Sequence, residues 1–341
     1  MKNATIWDVA KKADVSLATV SKYLNKKRVS ATSYNRIEEA IRELNYQVND
    51  FARGLRTNTS KMIGLFVPSI DSILATSLFN EAEKQLMDYN YSLVLCNYRD
   101  SATVFVEKIA FIRQRMVDGV IILLSGQTNE LIRQGLNELQ QANIPYVLVN
   151  GQVDGIEADA VLADNVQAIH SSVSHLLQNG HRKIGMIMAN RNSHNAKERM
   201  TGFCKAYADI GLTADEELLF DLGGEKNWEL EAKERIGAFL QAHPELTALV
   251  LPGYRMTLIG INAIHEQGRK IGEDIALIGF DCDAINYVLH LPITYMRLPT
   301  DVIAFNAIEL LINAITRKDK EAPKLIHIFA QTIEGKSVFK I

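Results

Sequence analysis

Five residues near the N-terminus are spaced so that they could contact nucleotide bases, namely Leu17, Ala18, Ser21, Lys22 and Asn25. At helical periodicity they share one face of a helix that begins after Ser16, while Val20 and Leu24 share the opposite, apolar face. The second helix of a helix–turn–helix presents such a face to the DNA major groove. Because Leu17 and Ala18 are apolar, they favour contact with a thymine methyl group over a hydrogen bond.

A preceding helix and a tight turn would hold this face in position. Apolar residues recur at helical spacing just before it, namely Ile6, Val9, Ala10 and Ala13. Thr5 can cap this helix, and Asp14 is a residue type that tolerates the left-handed conformation of a tight turn. A capped helical hairpin also occurs in many folds in which outer Ser and Lys residues contact only water, so the spacing alone leaves both interpretations open.

Basic residues and a third helix complete the N-terminal region. The Lys-Lys-Arg run at 26–28 is a candidate for phosphate contacts, with a solvated turn as the alternative. Ser30 or Thr32 can cap a helix with an apolar stripe made of Ile37, Ala40, Ile41 and Leu44. Residues 1–61 carry a net charge of +6 and the remainder −9, within a chain of formal net charge −3. Positive charge concentrated at one end favours phosphate binding there.

The next segment, residues 49–60, is short and polar and contains Gly54. A helix of about eight residues with an internal glycine is not stable alone in water. The segment is therefore either a flexible basic linker or a helix that forms only on binding.

Composition indicates an ordinary globular protein of two or three domains. Hydrophobic residues make up 47% of the 341 residues and charged residues 23%. No apolar run approaches the roughly 18 residues of a membrane span, and the N-terminus lacks the apolar region of a signal peptide. The three cysteines, Cys96, Cys204 and Cys282, form no CxxC motif. We therefore expect a cytoplasmic protein with reduced cysteines.

From residue 62 onward, apolar strands alternate with amphipathic helices, which predicts a parallel α/β architecture. Buried strands are expected at 62–67, 91–96, 119–124, 145–150, 158–163, 183–188, 247–251 and 275–280. Short strands at 294–298 and 325–333 flank a helix near 301–316. Ligands of such folds occupy the cleft outside the carboxyl ends of the strands.

The N-terminal motifs resemble the signature of the LacI–GalR family of bacterial repressors. They are Asp8-Val9-Ala10, Val15-Ser16, Ala18-Thr19-Val20-Ser21 and Leu24-Asn25. Further matches run through the body in family order, including Val67-Pro68, Asp164-Asn165, Gly180-His181-Arg182, Arg199 and Gly279-Phe280-Asp281. The match covers essentially the whole chain and is weakest in the last fifty residues.

This resemblance implies an α/β fold in three parts. A small all-α helix–turn–helix headpiece would span 1–47, a hinge helix or linker 48–60, and a two-lobed periplasmic-binding-protein type I core with parallel sheets 61–341. One lobe would comprise 61–161 with 291–322, and the other 162–290 with 323–341.

The resemblance also implies which residues contact DNA. The five residues of the outer helix face would read the major groove. Phosphate contacts, which position a protein without specifying sequence, would come from Thr5, Ser16, Thr19 and Arg28. In the hinge, Leu55 would wedge into the minor groove. Nearby, Ala52 would allow close approach of the backbone, and Arg53 and Arg56 would contact phosphates. Val48 replaces a proline that often precedes this hinge, so a looser entry to it is expected.

For the cleft, the resemblance implies ligand contacts from Ser72, Leu123, Asn150, Arg199, Tyr254 and Asp281. Arg199 would donate hydrogen bonds to polar groups of the ligand, and Asp281 would accept them. A buried Arg–Asp ion pair that only ties the two lobes together is the alternative.

Several cleft positions depart from the family pattern. Ser72-Ile73-Leu74-Ala75 replaces an Asn-Pro-aromatic-aromatic sequence, and Pro252-Gly253-Tyr254-Arg255 replaces an Asn-Asp pair. Asn150 stands where sugar-binding members commonly have aspartate. A hexose needs several fixed partners, because each unpaired buried polar group costs about 1–3 kcal/mol. Three interpretations stay open: an unusual sugar or sugar phosphate, a less polar effector, or a cleft that no longer binds small molecules.

Together these features predict a sequence-specific transcriptional regulator, most simply a repressor of a carbohydrate-utilisation operon. It would bind a palindromic double-stranded operator as a homodimer and respond to a small-molecule effector, a sugar or sugar phosphate. The alternatives are a regulator switched by a protein co-regulator or by no ligand and, more remotely, a solute-binding protein. No catalytic motif, metal site, cofactor or membrane association is expected, so the chain is predicted not to be an enzyme.

Overall fold

The computed structural model describes residues 4–24, 27–46, 59–125, 129–223, 228–286, 291–316 and 322–341. Contacts divide the chain into two compact units, Met1–Ser60 and Lys61–Ile341. Within the described ranges, no helix combines the length and the apolar character needed to cross a membrane.

The first unit contains three helices, α1 (Ile6–Lys12), α2 (Leu17–Leu24) and α3 (Ala31–Glu43). The caps predicted at Thr5 and Ser30 are confirmed, and Ser16 caps α2 in the same way. Each of these hydroxyls accepts a hydrogen bond from the backbone N–H three residues later. Asp14 has φ of 51°, the predicted left-handed turn. The helices enclose one small core made of Val9, Ala10, Ala13, Val20, Ile37 and Ala40.

The second unit contains two lobes, each built on a six-stranded sheet. The first sheet consists of β1 (Met62–Val67), β2 (Ser92–Asn97), β3 (Gly119–Leu123), β4 (Tyr146–Val149), β5 (Asp159–Ala163) and β11 (Leu325–Ile328). Its order is β11-β5-β4-β3-β1-β2, and all its pairs are parallel. The covering helices are α4 (Ile73–Leu86), α5 (Ala102–Gln114), α6 (Glu130–Gln141) and α12 (Thr300–Thr316). Helices α4 and α12 bury one face, and α5 and α6 bury the other.

The second sheet consists of β6 (Ile184–Met188), β7 (Leu219–Asp221), β8 (Ala248–Val250), β9 (Ala276–Phe280), β10 (Thr294–Arg297) and β12 (Gln331–Ile333). Its order is β12-β10-β9-β8-β6-β7, with β10 and β12 antiparallel and the other pairs parallel. The lobe also contains α7 (Asn165–Gln178), α8 (His194–Ala208), α9 (Trp228–Ala242), α10 (Tyr254–Glu266) and α11 (Asp283–Asn286). Short 3₁₀ turns occur at Met87–Tyr89 and Glu216–Leu218. Most of these strands are apolar throughout because helices cover both faces of each sheet.

The predicted fold class is confirmed, whereas two strands lie in the lobe opposite to the one expected. Strand β10 was expected in the first lobe but pairs with β9 of the second sheet. Strand β11 was expected in the second lobe but pairs with β5 of the first sheet. The chain therefore crosses between lobes after β5, after β10 and after β11. Pairing of short, isolated strands is decided by distant partners, which local sequence does not specify.

One close helix crossing gives a stability prediction for the second lobe. A Cβ on Gly202 of α8 would lie 2.3 Å from the carbonyl oxygen of Val166 in α7, too close for the backbones to stay in place. We expect Gly202→Ala to lower the free energy of unfolding by about 1–3 kcal/mol, despite the better helix propensity of alanine. Thermal melting would measure this. Gly64→Ala is the control, because its Cβ would meet only side chains at 3.6 Å or more. Equal melting temperatures for the two variants would contradict the prediction.

Candidate nucleic-acid interface and ligand cleft

Helix α2 places the predicted base-contacting residues together on its outer side. Ala18 and Lys22 are exposed and lie one turn apart, and Leu17 and Ser21 form a half-exposed row beside them. Val20, on the opposite side, is fully buried in the headpiece core. Asn25 lies outside the described residues. Leu17 is partly buried against that core, so Ala18 and Lys22 are the predicted base-contacting residues that this side exposes. Exposure of this kind is what insertion into a groove requires.

The predicted phosphate-contacting residues surround the two ends of this hairpin. Ser16 and Thr19 share a hydrogen bond of 2.8 Å between their hydroxyl oxygens, so one of the two O–H groups remains able to donate to a phosphate. Thr5 donates its hydroxyl proton to Asp8 at 2.7 Å and would have to exchange that partner to donate elsewhere. Arg28 is exposed. Residues at these positions can hold the hairpin of α1 and α2 against the DNA phosphate backbone without specifying the base sequence.

An exposed tryptophan of the headpiece was not among the predicted contacts. Trp7 lies in the first turn of α1 and is 67% exposed. An aromatic ring of this size at a solvent-facing helical position is a signal for an interface residue. The predicted hinge contacts Ala52, Arg53, Leu55 and Arg56 lie outside the described residues.

In the second unit, the charged residues predicted for the cleft follow two strands of the second sheet: Arg199 lies on the helix after β6, and Asp281 comes directly after β9. Strand β8 lies between these two strands. Arg199, on α8, is partly buried, and its Nε donates to Oδ1 of Asn165 at 3.1 Å. Its guanidinium lies 5.9 Å from the centre of the Phe280 ring. Burial lowers the pKa of Arg199 to about 10, against the opposing charges of Glu198 and Asp281, so the group stays cationic at neutral pH.

Asn165 is a positioning residue that the sequence analysis named as part of a family match but not among the cleft residues. It is 5% exposed and follows β5 at the first crossover between the lobes. While its Oδ1 accepts from Arg199, its Nδ2 donates to Glu198 at 3.0 Å. The Arg199 side chain is thereby fixed to a segment that joins the two lobes.

Asp281 is held at the second crossover. It follows β9, has φ of 51°, and accepts a hydrogen bond from the backbone of Leu298 at 3.0 Å. The Leu298 side chain contacts the apolar cores of both lobes. Burial raises the pKa of Asp281 to about 6, and the charge of nearby Asp283 adds to this increase. Since Arg199 and Asp281 belong to the same lobe, the alternative in which this pair ties the lobes together is excluded.

The side chains of the other predicted cleft residues make hydrogen bonds or packing contacts within the protein. The Ser72 hydroxyl caps α4 by accepting from Ala75 at 3.4 Å, and Nδ2 of Asn150 donates to the Leu124 carbonyl at 3.4 Å. Tyr254 begins α10 and packs against the lobe core. Leu123 is only 2% exposed and lies within a core cluster, so a ligand could not reach its side chain without opening the core.

Of the six predicted cleft residues, the two that carry charge, Arg199 and Asp281, both belong to the second lobe. Among the residues that the structure describes, no three His, Cys, Asp or Glu side chains are grouped so that they could hold a metal ion.

Comparison with known proteins agrees with both parts of this arrangement. Residues 5–49 match the family model of bacterial regulatory proteins of the lacI family, and residues 173–338 match that of the periplasmic binding protein-like domain. The HTH-type transcriptional repressor PurR of Mannheimia succiniciproducens is 30% identical over 339 residues, which cover 99% of this chain and 99% of that protein. That relative is named as a transcriptional repressor and not as an enzyme.

Solved structures show the same fold. The lac repressor dimer bound to operator and the anti-inducer ONPF superposes with a TM-score of 0.83 at 20% identity, covering 99% of this chain and 100% of that one. The complex of the transcriptional regulator CelR with cellobiose gives a TM-score of 0.72 at 22% identity, covering 98% and 99%. The chain belongs to the lacI family of bacterial regulatory proteins, the helix–turn–helix transcriptional repressors.

Proposed function

We propose that the chain represses transcription as a homodimer on a two-fold symmetric operator. The observation that carries this proposal is the outer side of α2, where Ala18 and Lys22 are exposed opposite the fully buried Val20. A face of this kind can enter the major groove, and the net charge of +6 over residues 1–61 attracts the phosphates around it. Two copies would read two half-sites related by the dimer axis.

Selection from random duplexes with the purified full-length protein tests this proposal. We expect an enriched site with two inverted halves, because a two-fold protein dimer imposes its symmetry on the DNA. Binding without any enriched sequence, or an enriched site with only one half, would contradict the proposal.

The hinge gives a second prediction for the same DNA, based on the family resemblance. Leu55→Ala should weaken operator binding far more than binding to unrelated DNA, because only the kinked operator accepts an apolar wedge in its minor groove. Fluorescence anisotropy with both duplexes at one salt concentration would measure the two affinities. Equal losses on both duplexes would count against the wedge.

For the cleft, we propose a small-molecule effector, a sugar or sugar phosphate, that controls a carbohydrate-utilisation operon. Arg199 and Asp281 support this proposal, since one can donate to ligand hydroxyls or phosphate oxygens and the other can accept from hydroxyls. The structure of CelR, which has a similar fold, was solved as a complex with cellobiose.

A thermal-shift panel of sugars, sugar phosphates, polyols, nucleosides and nucleobases tests the effector. A ligand at 100 times its dissociation constant adds about 2.7 kcal/mol to stability. The shift should disappear in Arg199→Ala and Asp281→Asn. It should persist in Arg113→Ala, an arginine paired with Glu138 on the first lobe at 3.0 Å. A panel without any shift would favour the alternative, a regulator switched by a protein co-regulator or by no ligand.

A further inference from the structure

One ion pair joins the two lobes away from the crossovers. Asp71, in the loop after β1 of the first lobe, places Oδ2 3.7 Å from Nη2 of Arg255 in the second lobe. Arg255 lies in the first turn of α10, just after β8. Both residues follow the carboxyl ends of their strands, so the pair spans the mouth of the cleft.

The distance of this pair from the crossovers makes it sensitive to lobe movement. In the first sheet β1 is three strands away from β5, after which the chain first crosses to the other lobe. At about 4.8 Å per strand spacing, this distance is about 14 Å. A hinge rotation of about 20° would separate the two groups by about 5 Å more and break their contact.

The local structure around Asp71 and Arg255 favours the ion pair between them. The Asp71 backbone N–H donates to the Ser69 hydroxyl at 3.1 Å, which holds the loop in a compact turn. Helix α10 begins after Gly253, which has no side chain to cap it. A carboxylate beside the first turn is favourable there, because the N-terminal end of a helix carries partial positive charge.

We propose that Asp71 and Arg255 form a latch that holds the cleft shut without a ligand. Two segments depart from the family pattern of ligand contacts: Asp71 directly precedes the first, which begins at Ser72, and Arg255 is the last residue of the second. A direct protein contact thus stands where a bound ligand would otherwise bridge the lobes. Both side chains keep substantial exposure, 74% for Asp71 and 41% for Arg255, so the pair shifts the ratio of closed to open protein by about two- to five-fold.

Distances between spin labels on the two lobes test the latch in the full-length protein. The exposed native Cys204 on α8 takes one label, and Asn137→Cys, on an exposed position of α6, takes the other. Cys96 and Cys282 are buried and should remain unlabelled. Pulsed electron spin measurements then give the populations of short and long distances without ligand or DNA, so the result does not depend on the proposed operator or effector.

Four variants define the outcome. Asp71→Asn and Arg255→Gln should each lower the ratio of closed to open protein two- to five-fold, and the double exchange Asp71→Arg with Arg255→Asp should restore it. Lys233→Gln, which breaks a pair with Glu266 inside the second lobe, should leave the ratio unchanged. Raising salt to 1 M should open the wild type but not Asp71→Asn, since charges at this exposure are screened. Unchanged ratios in the single variants, or a double exchange that fails to restore closure, would overturn the latch.

Discussion

Ala18→Asp should abolish operator binding while leaving the headpiece folded, whereas Val20→Asp should unfold it. At Ala18 the side chain points outward, so a carboxylate does not disturb the core but faces the DNA. Juxtaposed like charges cost several kcal/mol, which corresponds to a loss of at least about 100-fold in affinity. At Val20 the exposed fraction is 0%, and an unpaired buried carboxylate also costs several kcal/mol. A unit of about 60 residues has only about 3–9 kcal/mol of stability to lose.

Two measurements separate these outcomes. Anisotropy with the selected operator should show the loss of binding in both variants. Limited proteolysis should remove the headpiece rapidly only in Val20→Asp and leave residues 61–341 intact in both. Asn35→Asp places the same carboxylate on the exposed surface of α3 and should retain most of the affinity. If Ala18→Asp bound the operator normally, α2 would not be the helix that reads it.

Asp281→Asn should stabilise the ligand-free protein at neutral pH while removing effector binding. Burial raises the pKa of Asp281 to about 6, from 3.8 for an ordinary Asp, so the folded protein holds the proton more tightly than the unfolded chain. The contribution of this group to the free energy of unfolding therefore falls as the pH rises from about 4 to about 6, and it stays low above that range. Removing the charge should recover about 1–3 kcal/mol at pH 7, since each pKa unit corresponds to about 1.4 kcal/mol.

Melting temperatures at pH 4 and pH 7 test this expectation. The two proteins should melt alike at pH 4, and Asp281→Asn should melt higher at pH 7. Asp283→Asn is a control of opposite sign. Burial raises the pKa of Asp283, but hydrogen bonds from Arg297 and Tyr295 outweigh it and leave this pKa below the ordinary value. Its removal should therefore lower the melting temperature at pH 7. A destabilised Asp281→Asn at pH 7 would show that its carboxylate contributes to folding rather than to ligand binding.

Features encoded by neighbouring residues were the ones that the sequence predicted correctly. Thr5, Ser16 and Ser30 cap helices a few residues away, and the turn at Asp14 depends on one backbone conformation. The alternation of apolar strands and amphipathic helices likewise uses short-range periodicity. These signals were sufficient for the helix–turn–helix and for the α/β class.

Features that depend on distant partners were not predictable in the same way. Strand β7 has only three residues, Leu219–Asp221, and it becomes a strand by pairing with the edge of β6. The exchange of β10 and β11 between the lobes has the same origin. Asp71 and Arg255 meet across the cleft although they are far apart in the chain, and no local pattern indicates this contact.

The cleft shows a further limit of family patterns. They predict a ligand role for Arg199 and Asp281 but not the hydrogen bonds that fix these residues to the crossovers through Asn165 and Leu298. A ligand that engages both charges would thereby act on the segments about which the lobes move. This coupling amounts to allostery only if operator and effector each change the affinity for the other.

The most direct test of the central claim is an anisotropy titration with the selected operator and a duplex in which one half-site is scrambled. The proposed symmetric dimer should bind the half-scrambled duplex at least about 100-fold more weakly at the same salt concentration, because several base contacts worth about 1–3 kcal/mol each are lost. Equal affinity for the two duplexes would contradict sequence-specific recognition by a pair of α2 helices.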